Sequence, residues 1–172
     1  MTDRRLYLGI DPATACGWAL LDRAGNRIAG GTWSLKPRRG EGSGMRFLRC
    51  ERLLREVLAH HPVYALAYER PGHQRSLAAQ EVLQGIKATI ERVCEELGVP
   101  YTYFPVAEVK KLATGKGNAP KPAMIAAARS RWAHPVTDDD NAADALWVCE
   151  MLRRDMEVQN DLPPPPPPPV RP

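Results

Sequence analysis

The sequence lacks the features that would tie a chain to a membrane, a disulfide framework or a zinc site. Its only cysteines are Cys16, Cys50, Cys94 and Cys149, with no CxxC pair and no zinc-ligand spacing among them. Each falls in an apolar or helical pattern, which predicts reduced, buried thiols in a cytoplasmic protein. No signal-peptide core follows Met1, and no apolar run approaches the roughly 20 residues that span a bilayer. Internal repeats and a second patterned domain are also absent. The expectation is therefore a soluble, intracellular chain with no membrane partner, built on one domain with a full hydrophobic core.

A strong charge excess is missing too, since 24 Lys and Arg stand against 20 Asp and Glu, a formal net charge of +4. The distribution is more informative than the sum. Lys36, Arg38, Arg39, Arg46, Arg49, Arg52 and Arg55 face only Glu41 and Glu51 within residues 36–55. Lys110, Lys111, Lys116 and Lys121 face only Glu108 within residues 108–121. Local basic patches beside clustered acids fit a nucleic-acid surface next to a metal site. On the first patch, Arg46, Arg49, Arg52 and Arg55 recur every three residues and form a helical stripe, which is more often a solvated face than a DNA contact.

Hydrophobic periodicity predicts strands over residues 6–11, 17–22 and 27–34, an antiparallel meander. A helix over 44–60 follows, with Phe47, Leu54, Val57 and Leu58 facing inward. Val63 to Glu69 is nearly continuously apolar, as a buried parallel strand should be. Ser76 to Leu97 reads as a long helix closed by Gly98, and residues 99–104 as a fifth strand. Short helices over 106–113 and 120–132 precede a last one from Asp140 to about Met156. The pattern predicts an α/β fold with a five-stranded mixed sheet flanked by helices. Residues 1–157 form the domain, and 158–172, with seven consecutive prolines at 163–169, read as a disordered polyproline tail.

The chemistry lies in four acids. Asp11 ends the first strand in Leu-Gly-Ile-Asp-Pro, and Glu69 ends the fourth in Ala-Leu-Ala-Tyr-Glu. Asp140 and Asp144 open the last helix, about 40° apart on one face. If the strands are neighbours, all four converge, and their mutual repulsion calls for divalent cations. Hard cations on carboxylates are the machinery of phosphodiester cleavage. Singly, each acid is more often a turn residue or a helix cap.

Leu-Gly-Ile-Asp-Pro, the later Tyr-Glu and Ala-Ala-Asp-Ala-Leu resemble the active-site motifs of RuvC-type Holliday junction resolvases. Val109-Lys110, Gly115-Lys116-Gly117 and Ala119-Pro120-Lys121 match that family's lysine-bearing segment. The resemblance covers residues 5–156. It implies an RNase H-like fold, a homodimer and nicking of four-way DNA junctions with Mg²⁺ or Mn²⁺, two ions per site. It makes Asp11, Glu69 and Asp144 metal ligands, places Lys121 near the scissile phosphate, and gives Lys110 a DNA-binding role. The fourth ligand is open between Asp140, Asp139 and Asn141. Asp140 is favoured, an offset similar to that of viral-type relatives. Arg70, His73 and Arg75 after Glu69, with Lys111 and Lys116, are further DNA-binding candidates. Gly72 stands where many members carry an aromatic. The helix from Ser76, with Ala78, Ala79 and Gly85, is the candidate dimer interface, with packing inside one subunit as the other reading. A helicase partner fits the resemblance but is not named by the sequence. Competing expectations are a relaxed fork or flap nuclease, an RNA-processing RNase H-like enzyme and a non-catalytic junction-binding protein. An actin-like ATPase, which shares a motif like the first, needs two such domains.

Overall fold

The computed structural model describes residues 5–70, 76–132 and 140–161. Three antiparallel strands, β1 (Leu6–Asp11), β2 (Ala15–Asp22) and β3 (Arg27–Ser34), lead into helix α1 (Met45–His60). Then come β4 (Val63–Arg70), α2 (Leu77–Leu97), β5 (Tyr101–Pro105), α3 (Val106–Thr114), α4 (Lys121–Arg131) and α5 (Asp140–Asp161). The sheet order is β3-β2-β1-β4-β5, with β4 parallel to both β1 and β5. The mixed five-stranded sheet is thus as expected, and α5 continues to Asp161, past the expected end near Met156.

Both faces of the sheet are covered, which is why β1 and β4 read as nearly unbroken apolar runs. Leu8, Ile10, Leu20, Leu66 and Tyr68 point to the face under α1 and α2, among Leu54, Ile86 and Ile90. Tyr7, Ala19, Leu21, Ala65 and Ala67 point to the other, where Ala143, Leu146 and Cys149 of α5 and Met124 of α4 cover them. All four cysteines are buried and free, as expected. Burial pushes the Cys50 and Cys94 thiols up to about 12, so they are inert at neutral pH.

Two glycines let α5 lie directly on the sheet. A Cβ on Gly9 would fall 2.3 Å from the Ala145 carbonyl oxygen, and one on Gly17 would fall 1.9 Å from that of Asn141. Only hydrogen fits at either contact. Farther along, Glu150 is fully buried and accepts from Arg153 and Arg154. Arg153 also donates to the Arg23 carbonyl at 3.0 Å, and Trp132 Nε1 donates to that of Gly25 at 2.9 Å. These bonds fasten the β2–β3 turn to α4 and α5.

Helix α2 is capped by Ser76, whose Oγ accepts from Ala79 N at 3.2 Å, and stops at Gly98 in the left-handed region, φ 66°. Its contact with α1 favours, for Gly85, the second of the two readings, packing inside one subunit. Gly85 faces the Phe47 ring, 2.3 Å from where a Cβ would sit, so its small size serves packing inside the chain. Leu77 and Leu97, at the two ends of the helix, are exposed. The arginine stripe is partly spent as well. Arg49 pairs with Glu41, and Arg55 joins Glu51, Arg92 and Glu96 in a lattice between α1 and α2.

Candidate active site

Asp11 and Glu69 are brought together by strand register. Ile10 lies opposite Tyr68 in the parallel β1–β4 pair, so the next residue on each strand, Asp11 and Glu69, lies at the same rim of the sheet, with β4 running one residue further than expected, to Arg70. Both continue the alternation of Tyr7 and of Ala65 and Ala67, hence face α5. Gly9 and Gly17 seat α5 so close that its first turns, with Asp140 and Asp144, reach this rim.

The electrostatics show the convergence. Burial, then the charges of Glu69 and Asp144, hold the Asp11 carboxyl well above the usual carboxylate range; Asp140 adds to this and Lys121 opposes it. Burial and Asp144 push Glu69 up to about 7, with Lys110 opposing. Burial raises Asp144 to about 6, with Asp140 adding and Lys121 and Lys110 opposing. Four carboxylates from β1, β4 and α5 thus share one region with two lysines. As placed, no three His, Cys, Asp or Glu side chains among the described residues close on a common point at metal-ligand spacing. The donor set nevertheless fits a hard divalent cation: oxygen ligands only, half-buried, like-charged and poorly compensated by protein.

Lys121 is the first residue of α4, after Pro120 and before Pro122, and its side chain is 70% exposed. It forms an ion pair and hydrogen bond with Asp140. Lys110 lies on α3, close enough to influence Glu69 and Asp144. Lys111 and Lys116 are exposed. Asn141 is half-buried with its backbone on Gly17. Arg70 is exposed at the end of β4. His73, Arg75, Gly72 and Asp139 lie outside the described residues.

Sequence reasoning overlooked Gly9 and Gly17 as positioning residues, although a glycine inside a strand pattern is itself a sign of close backbone approach.

No family model matches the chain. Curated relatives do. A crossover junction endodeoxyribonuclease RuvC of Rhodopirellula baltica is 30% identical over 148 residues, covering 82% of each chain. The RuvC of Sorangium cellulosum is 32% identical over 145 residues, covering 82% of this chain and 80% of its own. The chain belongs to the RuvC family of crossover junction endodeoxyribonucleases.

Solved structures carry the same fold. Thermus thermophilus RuvC in complex with a Holliday junction substrate superposes with a TM-score of 0.76 at 22% identity, covering 90% of this chain and 95% of that one. The yeast mitochondrial Holliday junction resolvase gives 0.65 at 11% identity, with 93% and 82% covered.

Proposed function

We propose that this protein resolves four-way DNA junctions by divalent-metal-dependent nicking of two strands, leaving 5′-phosphate and 3′-hydroxyl ends. The observation that carries this reading is the convergence of Asp11, Glu69, Asp140 and Asp144 beside Lys110 and Lys121, in a chain of the RuvC family. Mg²⁺ or Mn²⁺ held by these acids, two ions per site, would supply an acidified water and Lewis-acid stabilisation of the leaving oxygen.

The protein's own part is electrostatic. Buried carboxylates at the ends of rigid strands are costly to ionise and therefore bind a cation strongly once they do. Asp140 is supported as the fourth ligand because it acts on both Asp11 and Asp144 and carries a full charge, whereas the Asn141 amide does not. Lys121 is held beside the site by Asp140. A cation held by Asp140 would leave the Lys121 ammonium available to a phosphoryl oxygen, at the N-terminus of α4 where anions are favoured. Lys110, with exposed Lys111 and Lys116, supplies phosphate contacts. A two-fold dimer would present two such sites to strands of like polarity.

The test is cleavage of a labelled four-way junction, a fork, a flap and linear duplex with Mg²⁺ or Mn²⁺. Paired symmetric nicks in the junction support resolution; equal cutting of all four substrates refutes it. Asp144→Asn should abolish cleavage while junction binding persists. Of Asp140→Asn and Asn141→Ala, only the first should sharply raise the metal concentration required.

A further inference from the structure

Three of the four tryptophans line two cavities along the β3 edge of the sheet. The first, about 570 Å³, lies between the β2–β3 turn and the end of α4, with Trp132, Arg131 and Gly25 in its wall. The second, about 270 Å³, lies beside the end of α1 and is walled by Trp33, His60 and His61. Trp18 belongs to both walls and so joins them. Its ring stacks on Trp33, centroids 5.5 Å apart and planes inclined by 19°. Its Nε1 reaches over Gly31 of β3, 3.6 Å from where a Cβ would sit. The result is a track of aromatic side chains from the β2–β3 turn to α1.

An edge strand leaves backbone groups unpaired, and proteins cover such edges. Aromatic grooves are also the surfaces that receive polyproline II helices, whose carbonyls find no N–H within the tract. This chain carries such a ligand itself. Pro163 to Pro169 begin two residues after Asp161, the last residue of α5. Helix α5 runs toward the first cavity, since Arg153 donates to the Arg23 carbonyl and its Nε lies 3.3 Å from where a Cβ on Gly25 would sit. From Arg153, α5 continues for about 12 Å to Asp161. Residues 162–172 span about 34 Å in a polyproline II helix, enough to return that distance and cover about 20 Å of the track. Proline has no N–H to prolong the sheet, so the tract can shield β3 without extending it. Glu56 stands in the wall of the second cavity, a carboxylate for Arg171 behind the prolines.

We propose that the proline tract of this chain docks on the Trp132–Trp18–Trp33 track of its own subunit and covers the β3 edge.

The experiment uses the full chain labelled with 5-fluorotryptophan, its four ¹⁹F resonances assigned by single Trp→Phe changes. The comparison variant carries Pro164→Gly, Pro166→Gly and Pro168→Gly, which keep the length of the tail and remove its polyproline II stiffness. The Trp18 and Trp33 resonances should differ between wild type and variant, with a larger shift between H₂O and D₂O in the variant. Trp147, buried on the other face of the sheet, should keep its position. A free peptide of residues 163–172 should restore the wild-type positions in the variant. It should bind the variant at least about 10-fold more tightly than wild type, where the tethered tract competes. Trp18 and Trp33 resonances that coincide in wild type and variant overturn the proposal. Equal affinity of the peptide for both proteins overturns it too, and assigns the track to a proline-rich partner protein. Restoration of the variant's signals by excess unlabelled wild type overturns docking within one subunit and places the tail on a second copy.

Discussion

Glu69 and Asp144 sit where their surroundings work against their charge, and this has a measurable consequence. Burial, with like charges nearby, raises Glu69 to about 7 and Asp144 to about 6, against ordinary values of 4.5 and 3.8. The folded state therefore holds more protons than the unfolded chain between about pH 4 and 7, and stability falls as pH rises through that window. Scanning calorimetry of chelator-treated protein should show a melting temperature that declines from pH 4.5 to 7.5, and a rise over that range would refute the assignment. Added Mg²⁺ should raise the melting temperature more at pH 8 than at pH 5, because only the ionised acids bind it. Asp11, raised by burial and by the charge of Glu69, adds to both trends.

At the scale of elements, the seam between α5 and the sheet links stability to the site. Gly9→Ala drives a methyl group into backbone that cannot yield locally, at Ala145 and Cys149, and should destabilise by about 1–3 kcal/mol in denaturant titration. The same change at Gly85 meets only the Phe47 ring, a side chain that can swing aside, so its cost should be smaller. Equal losses would show that α5 adjusts as freely as a side chain. These contrasts also mark what the sequence could convey. Strand ends, the parallel run at Val63 and the helix caps at Ser76 and Gly98 were legible because each has a local cause: periodicity, an acceptor oxygen or a left-handed residue. The direction of Gly85 was not, because a glycine's partner depends on which helix crosses it. Nor was the fate of the arginine stripe, since Arg55 and Arg92 share Glu51 and Glu96 across a distance only the fold closes. At the site, the order of the acids was readable, while the Lys121–Asp140 pair needed α4 and α5 in place.

For the whole molecule, modest net charge and local lysines set how binding responds to salt. Lys110→Ala should reduce the slope of log affinity against log salt by about one if that ammonium displaces a counterion at a phosphate. Leu77 is 71% exposed on the first turn of α2. If that turn belongs to a dimer interface, Leu77→Asp should shift sedimentation equilibrium toward monomer without lowering the melting temperature of the subunit; an unchanged mass would place the interface elsewhere. The topology has one further outcome, in time rather than in space. Asp11 belongs to the first strand and Asp144 to the last helix, and α5 packs on β1 and β2 through the Gly9 and Gly17 contacts. Closing that contact spans nearly the whole described chain, so it waits for the synthesis of α5. A nascent or truncated chain that lacks α5 holds no assembled set of acids. The protein is thus unarmed until complete, and competence to cut becomes a report that the entire domain has folded.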